Sequence, residues 1–209
     1  MNETSLKRYT NLASLISLLH TKKLILLDPS RWEDKNDSSY LRVYTEKLKL
    51  DSLFALCFTM VPETSHHWKV YSPGADGVCI YIKTDEFLAH LNEIDGIRHG
   101  LVEYKPVNEI ELNPPNISQL PFLKRFAFRG EEEYRIIYEG KKPPRNKYYK
   151  IPFEISWIDK IVLSNALPKE LRNSISETMC NIKGCENLNI IRSTLNENNR
   201  WKNAGLLAK

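Results

Sequence analysis

Two stretches of the chain are apolar without interruption, Leu53 to Phe58 and Val78 to Ile82, and such runs predict central strands covered on both faces. Elsewhere the apolar positions recur at helical spacing. Leu12, Leu15, Ile16 and Leu19 share one face of a helix that Thr10 or Asn11 can cap and that Lys22 and Lys23 suit at its C-terminus. Leu41, Tyr44 and Leu48 define a helix over 39–49, and Phe87, Leu88 and Leu91 a shorter one over 85–92. Leu171, Ile175, Met179 and Ile182 form one stripe of a helix that starts at Pro168 and stops at Gly184. Shorter strands are predicted at 6–10, 24–27, 101–104, 161–163 and 189–193. Residues 107–120 read as irregular, 122–128 as helix-compatible, and 195–209 as a docked or loose tail. With no internal repeat or linker, the pattern predicts a single α+β domain over 1–209.

One predicted strand carries an unusual face. In Gly130 to Tyr138, GEEEYRIIY, alternation puts Glu131, Glu133, Arg135 and Ile137 on one side and Glu132, Tyr134, Ile136 and Tyr138 on the other. The second side wants a core. The first gathers two carboxylates and a guanidinium, which costs energy through like-charge repulsion unless a partner or ligand offsets it. Such acids suit acid/base work or the stabilisation of a cationic transition state, and equally a charged strand edge paired with Lys or Arg on a neighbour.

Charge and composition narrow the field. A net charge of +4 on 209 residues is too slight to argue for nucleic-acid binding by itself. The longest apolar runs fall far short of a membrane span, and the first residues lack the layout of a signal peptide. Cys57 and Cys79 lie inside apolar strands, and neither Cys180 nor Cys185 belongs to a Cys-x-x-Cys pair, so reduced thiols in a cytoplasmic protein are expected. The histidines are scattered or adjacent, and no metal site is expected. The motifs of P-loop, Rossmann, zinc and nucleophile-elbow sites do not occur.

Three further stretches are candidates. Trp68 and Tyr71, at i and i+3 beside a Gly-containing turn, suit stacking on a ligand ring or packing in the core. The loop DPSRWEDKND combines Trp32 with Asp28, Arg31 and Asp34, either lining a site or plugging Trp32 into the core. The run from Lys141 to Lys150 sets Lys141, Lys142, Arg145 and Lys147 beside Tyr148 and Tyr149. That is the chemistry of phosphate neutralisation plus base stacking, or of a solvated loop.

Taken in order, RYT, LLDPSRWEDKND, the apolar strand ending CFT, WKVYSPGADGVCI and EEEYRIIY resemble a widespread uncharacterised bacterial domain family, domain of unknown function 2971. The resemblance runs from Lys7 to about Ser164; Trp32-Glu33-Asp34 replaces the family's Phe-Asn-Asp, and Lys35 its following Pro. A weaker similarity is to ADP-ribosyltransferases of the Arg-Ser-Glu type, with Arg8, Thr59 and the Glu131 and Glu133 pair as the three parts. It implies a bent, split mixed sheet with flanking helices that binds NAD as substrate. Arg8 would contact a phosphate or ribose, Thr59 support the site, Glu133 hold the ribose hydroxyl, and Glu131 position or deprotonate the acceptor. Arg135 would orient a glutamate, Trp68 or Tyr71 would stack on nicotinamide, and Tyr9 and Trp32 would complete the cofactor-binding set. The acceptor implied is RNA, DNA or protein, in a toxin or antiphage effector with a neutralising antitoxin partner. Two other classes stay open, a non-catalytic nucleic-acid- or protein-binding module and a metal-dependent nuclease or phosphoesterase.

Overall fold

The computed structural model describes residues 5–208, and in that range both uninterrupted apolar runs are strands. In chain order the first elements are β1 (Ser5–Asn11), α1 (Leu12–Thr21), β2 (Lys23–Leu27), α2 (Lys35–Lys47), β3 (Ser52–Thr59) and α3 (Ser65–Tyr71). Next come β4 (Gly77–Lys83), α4 (Thr84–Asn92), β5 (Ile97–Leu101), β6 (Glu103–Lys105), α5 (Val107–Leu112) and β7 (Leu123–Arg125). The chain continues through β8 (Glu133–Gly140), β9 (Tyr148–Pro152), β10 (Ile158–Leu163), α6 (Lys169–Cys180), β11 (Ile190–Arg192) and α7 (Asn199–Gly205). The class is α+β, with sheet pairings of both senses and flanking helices.

Two compact units make up the chain. The first is built from Lys23–Met60 and Lys83–Phe153 with the start of β1. Within it β8 lies between β3 and β5, β3 also pairs with β2, and β2 with β9, all antiparallel. Strands β3 and β8 stay in register from Ser52 opposite Gly140 to Thr59 opposite Glu133. Alternation along this pair sorts the side chains between two covers. Leu53, Ala55 and Ile137 pack beneath Leu41 and Tyr44 of α2. Phe58 faces the other way and meets Phe87 of α4, which meets Phe153 in turn. The predicted charged face of the Glu-rich strand is therefore the face that α2 covers, and β8 is a central strand rather than an edge.

The second unit holds Lys7–Lys22, Val61–Ile82 and the chain from Glu154 onward. Strand β10 pairs antiparallel with β4 and parallel with β11. Tyr9, Cys79, Tyr81 and Val162 form its small core, with Trp68 packed against them. Asn11 caps α1 by accepting from the Ser14 N–H at 2.9 Å, and Lys22 ends it in the left-handed region. At the start of β4 the backbone passes so near Ser72 that a Cβ on Gly77 would run into the Ser72 carbonyl oxygen. Gly77→Ala is expected to cost about 1–3 kcal/mol through overpacking against backbone that has no room to yield, read as a lower urea midpoint with an unchanged slope.

Where periodicity misleads, a distant partner is responsible. The helix-compatible stretch 122–128 is instead β7 followed by a 3-10 turn, Phe126–Glu131, because β7 pairs in parallel with β6, Tyr104 opposite Lys124. The strand expected at 101–104 breaks at Val102, whose N–H donates to the Glu133 carbonyl at 2.9 Å. The stretch 107–120, expected to be irregular, holds α5 and the start of a 3-10 turn, Ile117–Phe122, with a capping box from Asn116 and Gln119. In the tail, α7 forms behind an Asn198 cap and leaves Trp201 exposed. Among the described residues no helix is long and apolar enough to cross a membrane.

Candidate active site

The three glutamates separate at a backbone kink. Glu131 ends the 3-10 turn, Glu132 takes a left-handed conformation at φ 39° that turns its side chain to solvent, and β8 begins at Glu133. Strand alternation thus relates Glu133 to Arg135, as read from sequence, whereas Glu131 reaches the same place from the turn. Two neighbours pin this corner. The Thr59 hydroxyl donates to the Glu131 carbonyl at 2.7 Å, and the Glu133 N–H donates to the Tyr104 hydroxyl at 2.9 Å.

Arg135, fully buried, uses all five of its N–H donors on protein groups. Nε donates to Glu133 Oε1 at 2.6 Å, and one terminal nitrogen donates to Glu133 Oε2 at 3.0 Å and Asp37 Oδ2 at 2.7 Å. The other donates to Asp37 Oδ1 and to the Pro121 carbonyl, both at 2.8 Å. Trp32 lies over the guanidinium, 5.1 Å from its ring centroid. The ammonium of Lys124 completes the cluster at 2.5 Å from Glu131, 3.5 Å from Glu133 and 3.7 Å from Asp37. Fork-on-carboxylate contacts of this kind fix geometry as well as charge.

Burial and charge pull these groups in opposite directions. Desolvation pushes the Glu133 carboxyl up, but Arg135, Lys124 and the Cys57 thiol outweigh it and hold it at about 2. For Asp37 desolvation wins, and its carboxyl lies above the usual range despite Arg135. Lys124 is desolvated too, yet Glu133 and Glu131 raise it above the ordinary lysine range. Burial, reinforced by Glu133, drives the Cys57 thiol well up, so it stays protonated. Three carboxylates (Asp37, Glu131, Glu133) stand against two cations (Lys124, Arg135), a formal surplus of one negative charge with little solvent to screen it.

Other sequence candidates lie elsewhere in the chain. In the second unit Trp68 meets Tyr9 edge-on at 5.4 Å, and its indole N–H donates to Glu63 at 2.7 Å, so it is committed to packing. Tyr71, expected on the same side, is 41% exposed and meets His67 and His66 instead. His67 stacks on Tyr9 at 5.3 Å. Arg8 sits half-buried on β1. In the first unit Lys141, Lys142, Arg145 and Lys147 are exposed on the connection between β8 and β9. Tyr148 stays at the surface under the Lys150 ammonium, but Tyr149 is spent in a parallel stack on Tyr138 at 3.6 Å.

Asp37, Lys124, Tyr104 and Cys57 were not singled out from the sequence. For Asp37 a signal existed, since it falls four and seven residues before Leu41 and Tyr44 on the buried stripe of α2. A carboxylate on an apolar stripe calls for a buried cation. Lys124 offers no such local cue. Among the described residues no group of three or more His, Cys, Asp or Glu side chains is disposed to hold a metal ion.

No protein-family model matches the chain, and no curated protein does. One solved structure that it resembles is that of Thermus sp. 2.9 DarT in complex with NAD+, with a TM-score of 0.45 and 8% identity over 92% of this chain and 96% of that one.

Proposed function

We propose that the chain is an NAD-dependent ADP-ribosyltransferase in which Glu133 is the carboxylate that faces the developing sugar cation. The observation that carries this reading is the pairing of Thr59 with Glu133 at the ends of β3 and β8, with Glu133 held ionised at about 2. Breaking the bond from nicotinamide to ribose passes through an oxocarbenium-like state, which a fixed anion stabilises more than it stabilises the neutral sugar. A carboxylate has about four lone-pair positions. Arg135 takes one on each oxygen of Glu133, the Cys57 thiol bonds the same carboxyl and Lys124 approaches Oε2 at 3.5 Å, so a ribose hydroxyl binds in place of the long Lys124 contact. The surplus negative charge of the cluster suits the positive nicotinamide ring in the same way. NAD is then substrate, Glu131 serves the acceptor, and residues 1–209 act as one α+β domain. The order of motifs that resembles the bacterial family and the Arg-Ser-Glu transferases supports this reading.

A nucleic-acid acceptor follows from the exposed cations and Tyr148 beyond β8. Protein is the other acceptor class, and a toxin or antiphage role with a neutralising partner fits a chain that modifies either. The test is incubation with NAD labelled on its adenylate phosphate, together with cellular RNA, DNA and protein. Label retained on a macromolecule, with one nicotinamide released per label, is the expected result; intact NAD after long incubation overturns it.

A second reading has its own observation. The buried acids and cations satisfy one another so fully that they also suit a structural cluster in a non-catalytic nucleic-acid- or protein-binding module. In that case binding to RNA weakens steeply with salt and survives loss of both glutamates.

A further inference from the structure

We propose that Asp37 and Lys124 are positioning residues that set Glu133 and Glu131, acting through Arg135 and directly. The proposal rests on Glu133 being the reacting carboxylate, as argued above. A guanidinium held along one edge only can rock against its partner. Arg135 is held along two, with Asp37 gripping the terminal edge through both oxygens and Glu133 on the Nε edge. The plane of the Glu133 carboxylate therefore follows from where Asp37 stands. That place is fixed in turn, because Asp34 Oδ1 accepts from the Asn36 and Asp37 N–H groups at the start of α2, and Leu41 and Tyr44 anchor the helix in the core.

Lys124 does the complementary work. Its ammonium stands nearest Glu131 and within reach of Glu133 and Asp37, so it keeps the two glutamates from repelling each other out of position. An amide at residue 37 would remove the surplus charge but could grip Arg135 with a single oxygen. The carboxylate keeps the two-point grip and accepts the surplus charge that comes with it.

The test compares Asp37→Asn, Lys124→Met and Lys124→Arg with the unaltered chain in two measurements. One is nicotinamide release from NAD, resolved into kcat and KM. The other is hydrogen exchange of the Arg135 Nε–H, followed by its 15N–1H signal without NAD. In Asp37→Asn, kcat is expected to fall about ten- to a hundredfold with KM little changed, and the Nε–H to exchange about tenfold faster. Lys124→Met is expected to lose kcat similarly, and Lys124→Arg to recover most of it. Unchanged exchange and kcat in folded Asp37→Asn overturn the proposal. If Asp37→Asn does not fold, equal kcat in Lys124→Met and the unaltered chain overturns it instead, whereas a loss rescued by Lys124→Arg supports it. If the unaltered chain releases no nicotinamide, the functional reading has failed. The exchange rate in Asp37→Asn then decides positioning alone, faster exchange supporting it and unchanged exchange overturning it.

Discussion

Glu133→Gln is expected to lower the rate of nicotinamide release by about a hundred- to a thousandfold while the chain stays folded, the loss typical of removing one preorganised charge-stabilising group. The substitution keeps shape and one acceptor for the Arg135 Nε–H but gives up the stability of the ionised carboxyl, so the protein is expected to stay folded with a lower urea midpoint. What disappears is the fixed anion that the sugar cation meets. Glu132→Gln serves as the control, because the Glu132 side chain points to solvent at the kink before β8. It is expected to leave the rate unchanged. A folded Glu133→Gln protein with an undiminished rate would falsify the assignment of Glu133.

The largest effect on stability is expected at Arg135. Arg135→Met leaves Asp37 and Glu133 buried without their common cation, and a stranded buried charge costs about 3–5 kcal/mol. Lysine is no rescue, since three donors on a point charge cannot replace five in a planar fork. The pH dependence follows with a definite sign. Glu133 is depressed from 4.5 to about 2, so the stability it contributes is complete above about 4.5 and drains away as pH falls towards 2. Asp37 is shifted upward and opposes this, favouring the folded state where it can hold a proton. Without Arg135 the depression of Glu133 weakens and Asp37 shifts further upward, so Arg135→Met, though less stable at pH 7, should lose less stability on acidification than the unaltered chain. Urea titrations from pH 7 down to pH 3 on both proteins measure this. Equal midpoints at pH 7 would show that the cluster contributes nothing to the fold.

Much of this architecture can be read from residue order because it rests on local signals. The unbroken runs of β3 and β4 require two covered faces, the Asn11 cap and the Leu12, Leu15 and Leu19 stripe specify α1, and alternation correctly joins Glu133 to Arg135. The turn before β8 escapes such reading because β7 exists through its pairing with β6 across the intervening chain. The same holds for the site. Glu131, Glu133 and Arg135 announce themselves by adjacency, whereas Lys124 joins only because β7 is folded back beside them. Asp37 is intermediate, visible as a charge out of place on an apolar stripe. Trp68 shows the limit of spacing arguments, since i, i+3 neighbours share a helix side yet meet different surroundings, one a core and a carboxylate, the other solvent.

The saturation of Arg135 also bears on how this sequence can change over generations. Its five donors end on α2, on the turn before β7 and on β8 itself, segments far apart in the chain. A drift toward an apolar interior would have to replace Arg135, Asp37 and Glu133 together, because any single replacement strands a charge or a donor. Each one-step path therefore descends before it climbs, and the cluster becomes a historical trap. Its members are expected to be exchanged as a set or not at all.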